Sequence, residues 1–141
     1  MTNQTDQIKD APKSEPAPLR SITEIVADLS RTINAQRLRQ RKQGGKEIDY
    51  LPWYEAVHYL DHYAPGWSYE IRSVSQIGEN LVMTVRVSIT CLEGVIWRDA
   101  SSLEKIEDPK RYGDAATNAE SAALRRAASK FGLALYLYDK D

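Results

Sequence analysis

Two stretches of the chain carry side chains whose types and spacing could do chemistry. In "RLRQRK", residues 37–42, Arg37, Arg39, Arg41 and Lys42 fall within six positions, followed by Lys46 in a glycine loop and by Tyr50. In "AESAALRRAASKFGLALYL", residues 119–137, an alanine-rich helical pattern holds Arg126 and Lys130 one turn apart, with Arg125 beside them. Guanidinium forks grip phosphate oxygens and an aromatic ring stacks on a base, which is what a single-stranded nucleic acid asks of a protein. The candidate DNA-binding set is therefore Arg41, Lys42, Lys46, Tyr50, Arg125, Arg126 and Lys130. Charge along the chain has the same shape. Residues 21–46 hold six Lys or Arg against two acids and residues 109–141 six against four, while residues 47–108 hold four against eleven. Basic ends around an acidic middle suit a groove assembled from distant segments.

Catalytic patterns are weaker. "QGGKE" has Gln40 and Glu47 where a phosphate-binding loop needs its first glycine and a Ser or Thr after the lysine, so no nucleotide cofactor is expected. His58 and His62 are spaced i, i+4 on a helix but lack a third ligand, and read as exposed polar positions rather than a metal site. Asp99, Glu104, Glu107, Asp108 and Asp114 could hold magnesium for a nuclease, yet no positioned base accompanies them. No catalytic residue, cofactor or metal is assigned and no enzymatic activity is expected, with a metal-dependent nuclease as the minor alternative. The single cysteine, Cys91, reads as a small core hydrophobe.

These groups must be positioned by one domain of 141 residues, with 42% hydrophobic and 28% charged residues. Residues 1–20 hold little to bury and read as a flexible tail, leaving 21–141 as the domain. No run approaches a membrane span, no secretory h-region is visible, and the expected address is cytoplasmic and nucleoid-associated. Ser21 and Glu24 have capping-box spacing ahead of Ile22, Ile25, Val26, Leu29 and Ile33, which predicts a helix whose trailing loop runs to Gly44 and Gly45. Pro52 suits the first turn of a second helix with Trp53, Ala56, Val57 and Leu60 on one face, ended by Pro65 and Gly66. Alternation follows: Trp67, Tyr69 and Ile71 on one side of a strand, Met83, Val85, Val87 and Ile89 on one side of the next, then "VIWRDA". A third helix is predicted over about Ala115 to Phe131, with "LALYLY" as core packing or a subunit contact. The expected fold is α+β, a three-stranded antiparallel β-meander packed against a C-terminal helix, with two preceding helices.

The last segment, "AESAALRRAASKFGLALYLYDKD" preceded by "YGDAATN", resembles the end of the annealing domain in the Rad52/Rad22 family of single-strand annealing proteins. "RKQGGKEIDYLPWYEAVHYLDHYAPGW" is similar to that family's glycine loop, its tyrosine before the second helix and its Gly-Trp before the sheet. The resemblance runs from about residue 30 to 141. It implies a homo-oligomer, ring or filament, that lays single-stranded DNA in a basic groove and anneals complementary strands without ATP in DNA repair and recombination. A single-strand-binding protein is a candidate partner, and no membrane is involved. By position, Arg125 and Arg126 match the groove helix's basic pair, Tyr50 the groove-wall tyrosine and Arg41 the arginine before the glycine loop. Ser129 replaces a third basic position, with Lys130 adjacent, and Glu79 and Asn80 stand where the family's outer DNA site has a lysine. With the sequence ending at Asp141, a mediator role is not expected. A double-stranded RNA module, which also runs α-β-β-β-α, and a purely structural assembly domain are the remaining alternatives.

Overall fold

Burial alternates residue by residue along strand β4, Asn80–Cys91, and this strand organises the molecule. Met83, Val85, Val87, Ile89 and Cys91 are buried while the residues between them are half-buried, as a period of two requires when one face meets a core. The computed structural model describes residues 18–111 and 113–139. In it β4 is the middle strand of an antiparallel sheet in the order β3-β4-β5, with β3 Ser68–Ile77 and β5 Gly94–Lys105 joined to it by two-residue turns. The register of β3 against β4 shifts between Ile71 and Ser73, a bulge that changes which residues of β3 face β4.

Helix α3, Ala115–Ser129, lies across β4 and β5. Asp114 caps it, its Oδ1 accepting from the Thr117 amide at 2.7 Å, and that hydrogen bond holds the carboxyl below the usual aspartate range. The seated face is made of Ala119, Ala123, Ala127 and Ala128, all fully buried, so the helix backbone comes close enough for the Ser102 hydroxyl to donate to the Ala119 carbonyl. Helices α1, Ile22–Leu29, and α2, Trp53–Tyr63, close the core with Ile25, Leu29, Tyr59 and Leu60. Ser21 caps α1 as its spacing implies, its hydroxyl accepting from the Glu24 amide at 3.2 Å. Gly132 follows α3 with φ +108°, and a Cβ there would stand 2.1 Å from the Ser30 hydroxyl, so the chain end passes tightly under α1. The α+β architecture and the meander are as the sequence implies, and Cys91 is buried and unbridged.

One local expectation needs correction. The segment expected as a helix tail and loop is a β-hairpin, β1 Arg39–Gln43 and β2 Lys46–Tyr50. Its strands lack an apolar face to announce them. Gly44 and Gly45, with φ of +59° and +79°, form the tight turn that joins them. Of the four residues expected on one face of α2, Ala56 and Leu60 are buried, Val57 is half-buried and Trp53 is exposed, and Tyr59 and Tyr63 complete the buried surface. Tyr69 and Ile71 share a side of β3 as expected, and both are exposed because α3 lies over β4 and β5. The tail expected at 1–20 falls on residues 1–17, outside the described residues, and on 18–20. There Arg20 is anchored to Asp28 and to the Tyr63 carbonyl at 3.1 Å.

Since Ala123 has no room around it, Ala123→Leu is expected to lift α3 off the sheet and lower stability by about 1–3 kcal/mol. Chemical denaturation followed by circular dichroism measures this, and an unchanged midpoint would contradict the packing described.

Candidate nucleic-acid interface

The two-residue turn at Gly44 and Gly45 fixes the hairpin register: Gln43 opposes Lys46, Arg41 opposes Ile48 and Arg39 opposes Tyr50. Alternation then puts Arg39, Arg41, Lys46 and Tyr50 on one face. Lys42 goes to the other face, opposite Glu47 and next to the pair made by Gln40 and Asp49 at 3.1 Å. Of the hairpin residues expected in the site, the structure thus groups Arg41, Lys46 and Tyr50 and separates Lys42. It adds Arg39, whose guanidinium donates to the Gln36 and Leu38 carbonyls at 3.0 and 2.9 Å. Counting outward from a Gly-Gly hairpin turn would have found it.

Arg125 reaches this same face from α3, 84 positions later in the sequence than Arg41. The guanidinium carbons of Arg41 and Arg125 lie 5.2 and 5.3 Å from the centroid of the one Tyr50 ring, within the range where a cation is attracted to an aromatic face. Beside them opens a cavity of about 160 Å³ floored by Leu51, Ala56, Leu133 and Leu137 and rimmed by Tyr138. Among the described residues neither arginine has a carboxylate partner; Arg125 donates only to the Ser121 carbonyl, at 3.3 Å. Burial pushes the Arg125 guanidinium below the usual arginine range, with Arg41 and Arg126 adding like-charge repulsion, yet it stays charged at neutral pH. An exposed Arg41 beside a part-buried Arg125, neither with an acid among the described residues, forms a site that an anion would complete. Arg37, by contrast, pairs with Glu55 at 2.7 Å and lies over the Tyr59 ring, a structural post.

Arg126 and Lys130 sit on a different side of α3. Arg126 donates to the Ser101 carbonyl at 3.3 Å and Lys130 to the Asp99 carbonyl at 2.6 Å, both on β5. Successive helical residues diverge by about 100°, so Arg125 and Arg126 cannot face the same neighbour. The "LALYLY" segment divides as well: Leu133 and Ala134 are buried and Leu135, Tyr136 and Tyr138 exposed.

Three of the five acids that are candidates for a metal, Asp99, Asp108 and Asp114, are engaged elsewhere. Asp99 takes a forked pair of hydrogen bonds from Arg86 at 2.8 and 3.1 Å, which hold it below the usual aspartate range. Asp114 caps α3, and Asp108 accepts from the Lys110 amide at 3.0 Å. His62 packs edge-on against Tyr63, ring centroids 4.7 Å apart. Among the described residues no three of His, Cys, Asp or Glu gather as a metal site would need.

A β-meander under an alanine-faced helix, with a basic hairpin folded over one side of that helix, is the arrangement that comparison with known proteins places. The family model for the Rad52/22 family double-strand break repair protein matches residues 21–141. The "DNA repair RAD52-like protein 1, mitochondrial" of Arabidopsis thaliana is 36% identical over 124 residues, covering 86% of this chain and 70% of that protein. The "DNA repair RAD52-like protein 2, chloroplastic" of the same plant is 33% identical over 129 residues, covering 84% and 61%. The chain belongs to the Rad52/22 family of double-strand break repair proteins. These relatives overturn the cytoplasmic, nucleoid-associated address expected from the sequence: both carry organellar names. The physical reason is that lack of an apolar segment speaks only to membranes and secretion; it does not define a compartment.

If Arg125 is held against like charge for the sake of an anion, then Arg125→Met, which keeps the packing stem and removes the charge, should leave the thermal midpoint equal to or above the parent's. A clear loss of stability in a calorimetric scan would make Arg125 a structural residue.

Proposed function

We propose that the chain binds single-stranded DNA along the cleft formed by the hairpin and α3, and that it brings complementary strands together without a nucleotide cofactor, as an oligomer closed into a ring or extended as a filament. Family membership supports a role in DNA repair and recombination. The observation that carries the finer reading is the convergence of Arg41 and Arg125 on the Tyr50 ring without a carboxylate among the described residues. Lys46 on the same hairpin face extends the positive surface, and Arg126 and Lys130 line the flank of α3. Lys42, on the far face, is assigned at most an electrostatic contribution at a distance.

Annealing needs backbone contacts that hold a strand while its base edges remain available. Arginine on phosphate meets that need, being independent of sequence, and Tyr50 offers a ring for one base or sugar without reading it. This is binding chemistry rather than catalysis, and the role of the protein is to concentrate and align two strands. A protomer that contacts about four phosphates is expected to show a salt slope near −2.8, a loss of roughly fifty-fold in affinity between 50 and 200 mM salt. Single protomers are thus weak binders at physiological salt, and repetition of the cleft around an oligomer supplies the remainder through effective concentration. A strand already coated by a single-strand-binding protein belongs to the same proposal as a substrate.

Mixing labelled complementary oligonucleotides with the protein, without ATP and with EDTA present, tests the reading. Duplex formation is expected to accelerate over the spontaneous rate, and Arg125→Ala to reduce strand binding and acceleration together. No acceleration by a protein that binds the strands would leave a binding module only; strand cleavage restored by magnesium would replace the proposal with a nuclease.

A further inference from the structure

A phosphate that meets Arg41 and Arg125 leaves the floor of the adjoining cavity uncovered. That floor is apolar: Leu51, Ala56 and Leu133 are buried and Leu137 is half-buried, around a volume of about 160 Å³. An apolar cavity of about 150 Å³ holds one benzene ring, so this one has the size of a single six-membered ring. The acid among the residues around it, Asp49, is engaged by the Gln40 side chain at 3.1 Å. At the mouth stand the guanidiniums of Arg41 and Arg125, both gathered on the Tyr50 ring. An apolar hollow of one-ring size under two cations matches an anion with an apolar body better than it matches a phosphodiester alone.

The walls are tied down on more than one side. Ala56 belongs to α2, while Leu133 and Leu137 belong to the segment after α3, where Gly132 turns the chain tightly beneath α1. The Tyr136 hydroxyl accepts from the Ile33 amide at 3.1 Å and the Leu137 amide donates to the Ala134 carbonyl at 3.0 Å, so the turn that carries Leu137 is pinned. Ala134 enters that turn in the left-handed region, φ 55°, a conformation that a residue with a Cβ adopts only where its surroundings enforce it. A preformed hollow binds without the cost of ordering its walls. A nucleobase is a poor occupant. Its ring carries N–H and C=O groups on its perimeter, and a floor of leucine and alanine side chains would leave them unpaired. Strand annealing also requires those base edges to stay outside the protein.

We propose that this cavity is a binding site for a small aryl carboxylate, its single apolar ring seated on Leu51, Ala56, Leu133 and Leu137 and its carboxylate on the guanidiniums of Arg41 and Arg125. Burial of the ring supplies affinity, and the forked donors at the mouth fix its orientation. The ring takes the surface that a strand leaves uncovered, and the carboxylate takes the cations that a phosphate needs. Ligand and strand therefore exclude one another, and an occupied cavity acts as a brake on strand binding. The brake rests on the strand-binding cleft proposed above; the site itself rests on the cavity.

Three carboxylates of equal charge at neutral pH separate the contributions: phenylacetate with an apolar ring, acetate with none, and orotate with a pyrimidine ring whose edges are polar. Each is titrated into the full chain at one ionic strength and followed by the methyl NMR signals of Leu51, Leu133 and Leu137. Phenylacetate is expected to shift those methyls with an affinity about tenfold or more above that of acetate, and orotate to behave like acetate. Arg125→Met is expected to weaken phenylacetate about tenfold; should that variant fail to fold, the three ligands on the parent decide. Equal affinities for phenylacetate and acetate, or shifts at other methyls only, overturn the site. Orotate bound as well as phenylacetate overturns the ligand class in favour of a base. In a second measurement a labelled oligonucleotide is titrated with the protein, and phenylacetate is expected to raise its apparent Kd in proportion to occupancy while acetate at the same ionic strength does not. Phenylacetate seated in the cavity with the strand's Kd unchanged overturns the brake. A chain that takes phenylacetate and no oligonucleotide at all overturns the cleft, and the brake with it, and supports the site.

Discussion

The seating of an alanine-faced helix on β4 and β5 is the constraint from which the rest follows. With Ala119, Ala123, Ala127 and Ala128 fully buried, α3 lies close to the sheet and its rotation about its own axis is fixed. That rotation sends Arg125 toward the hairpin and Arg126 and Lys130 toward the edge of β5. Larger side chains on the seated face would raise and turn the helix, and the distances of Arg41 and Arg125 from the Tyr50 ring would no longer be matched. Packing in the core thus sets electrostatics at the surface.

The electrostatics in turn set the chemistry available. A guanidinium part-buried beside another one, with hydrogen bonds only to a backbone carbonyl, is held at a cost in folding free energy that a bound anion relieves. Other charged groups in the molecule show what satisfied partners look like. Arg37 has Glu55, Arg86 has both oxygens of Asp99 and stacks 3.6 Å from the Trp97 ring centroid, and Arg20 has Asp28. Against that background the pair of arginines at Tyr50 stands apart in having no carboxylate partner among the described residues, and the proposed strand binding rests on that difference.

Much of this was legible in the sequence, for reasons that differ by element. The capping spacing of Ser21 and Glu24, the alternation through Met83, Val85, Val87 and Ile89, and the alanine repeat of α3 are local patterns with one physical solution each. The hairpin was hidden because Arg39 to Gln43 has no apolar face, so periodicity is silent and only the paired glycines speak. Along α2 the helical period groups Trp53 with Ala56 and Leu60 but does not say which residues are covered: Trp53 is exposed, and Tyr59 and Tyr63, amphipathic and one turn apart, supply the packing surface. In the site, residue types were readable and facing was not: strand parity removes Lys42 and adds Arg39, and helix rotation divides Arg125 from Arg126.

The claim at the centre of the account is that Arg41 and Arg125, far apart in the chain, act on the same stretch of bound strand. Single-strand affinity of the parent, Arg41→Ala, Arg125→Ala and the double variant, measured at one fixed salt concentration, closes a double-mutant cycle on that claim. The expected result is a coupling of about 1 kcal/mol or more, the second substitution costing much less than the first. Strictly additive losses, or none, would mean that the two arginines serve separate surfaces, and the cleft would not be the DNA site.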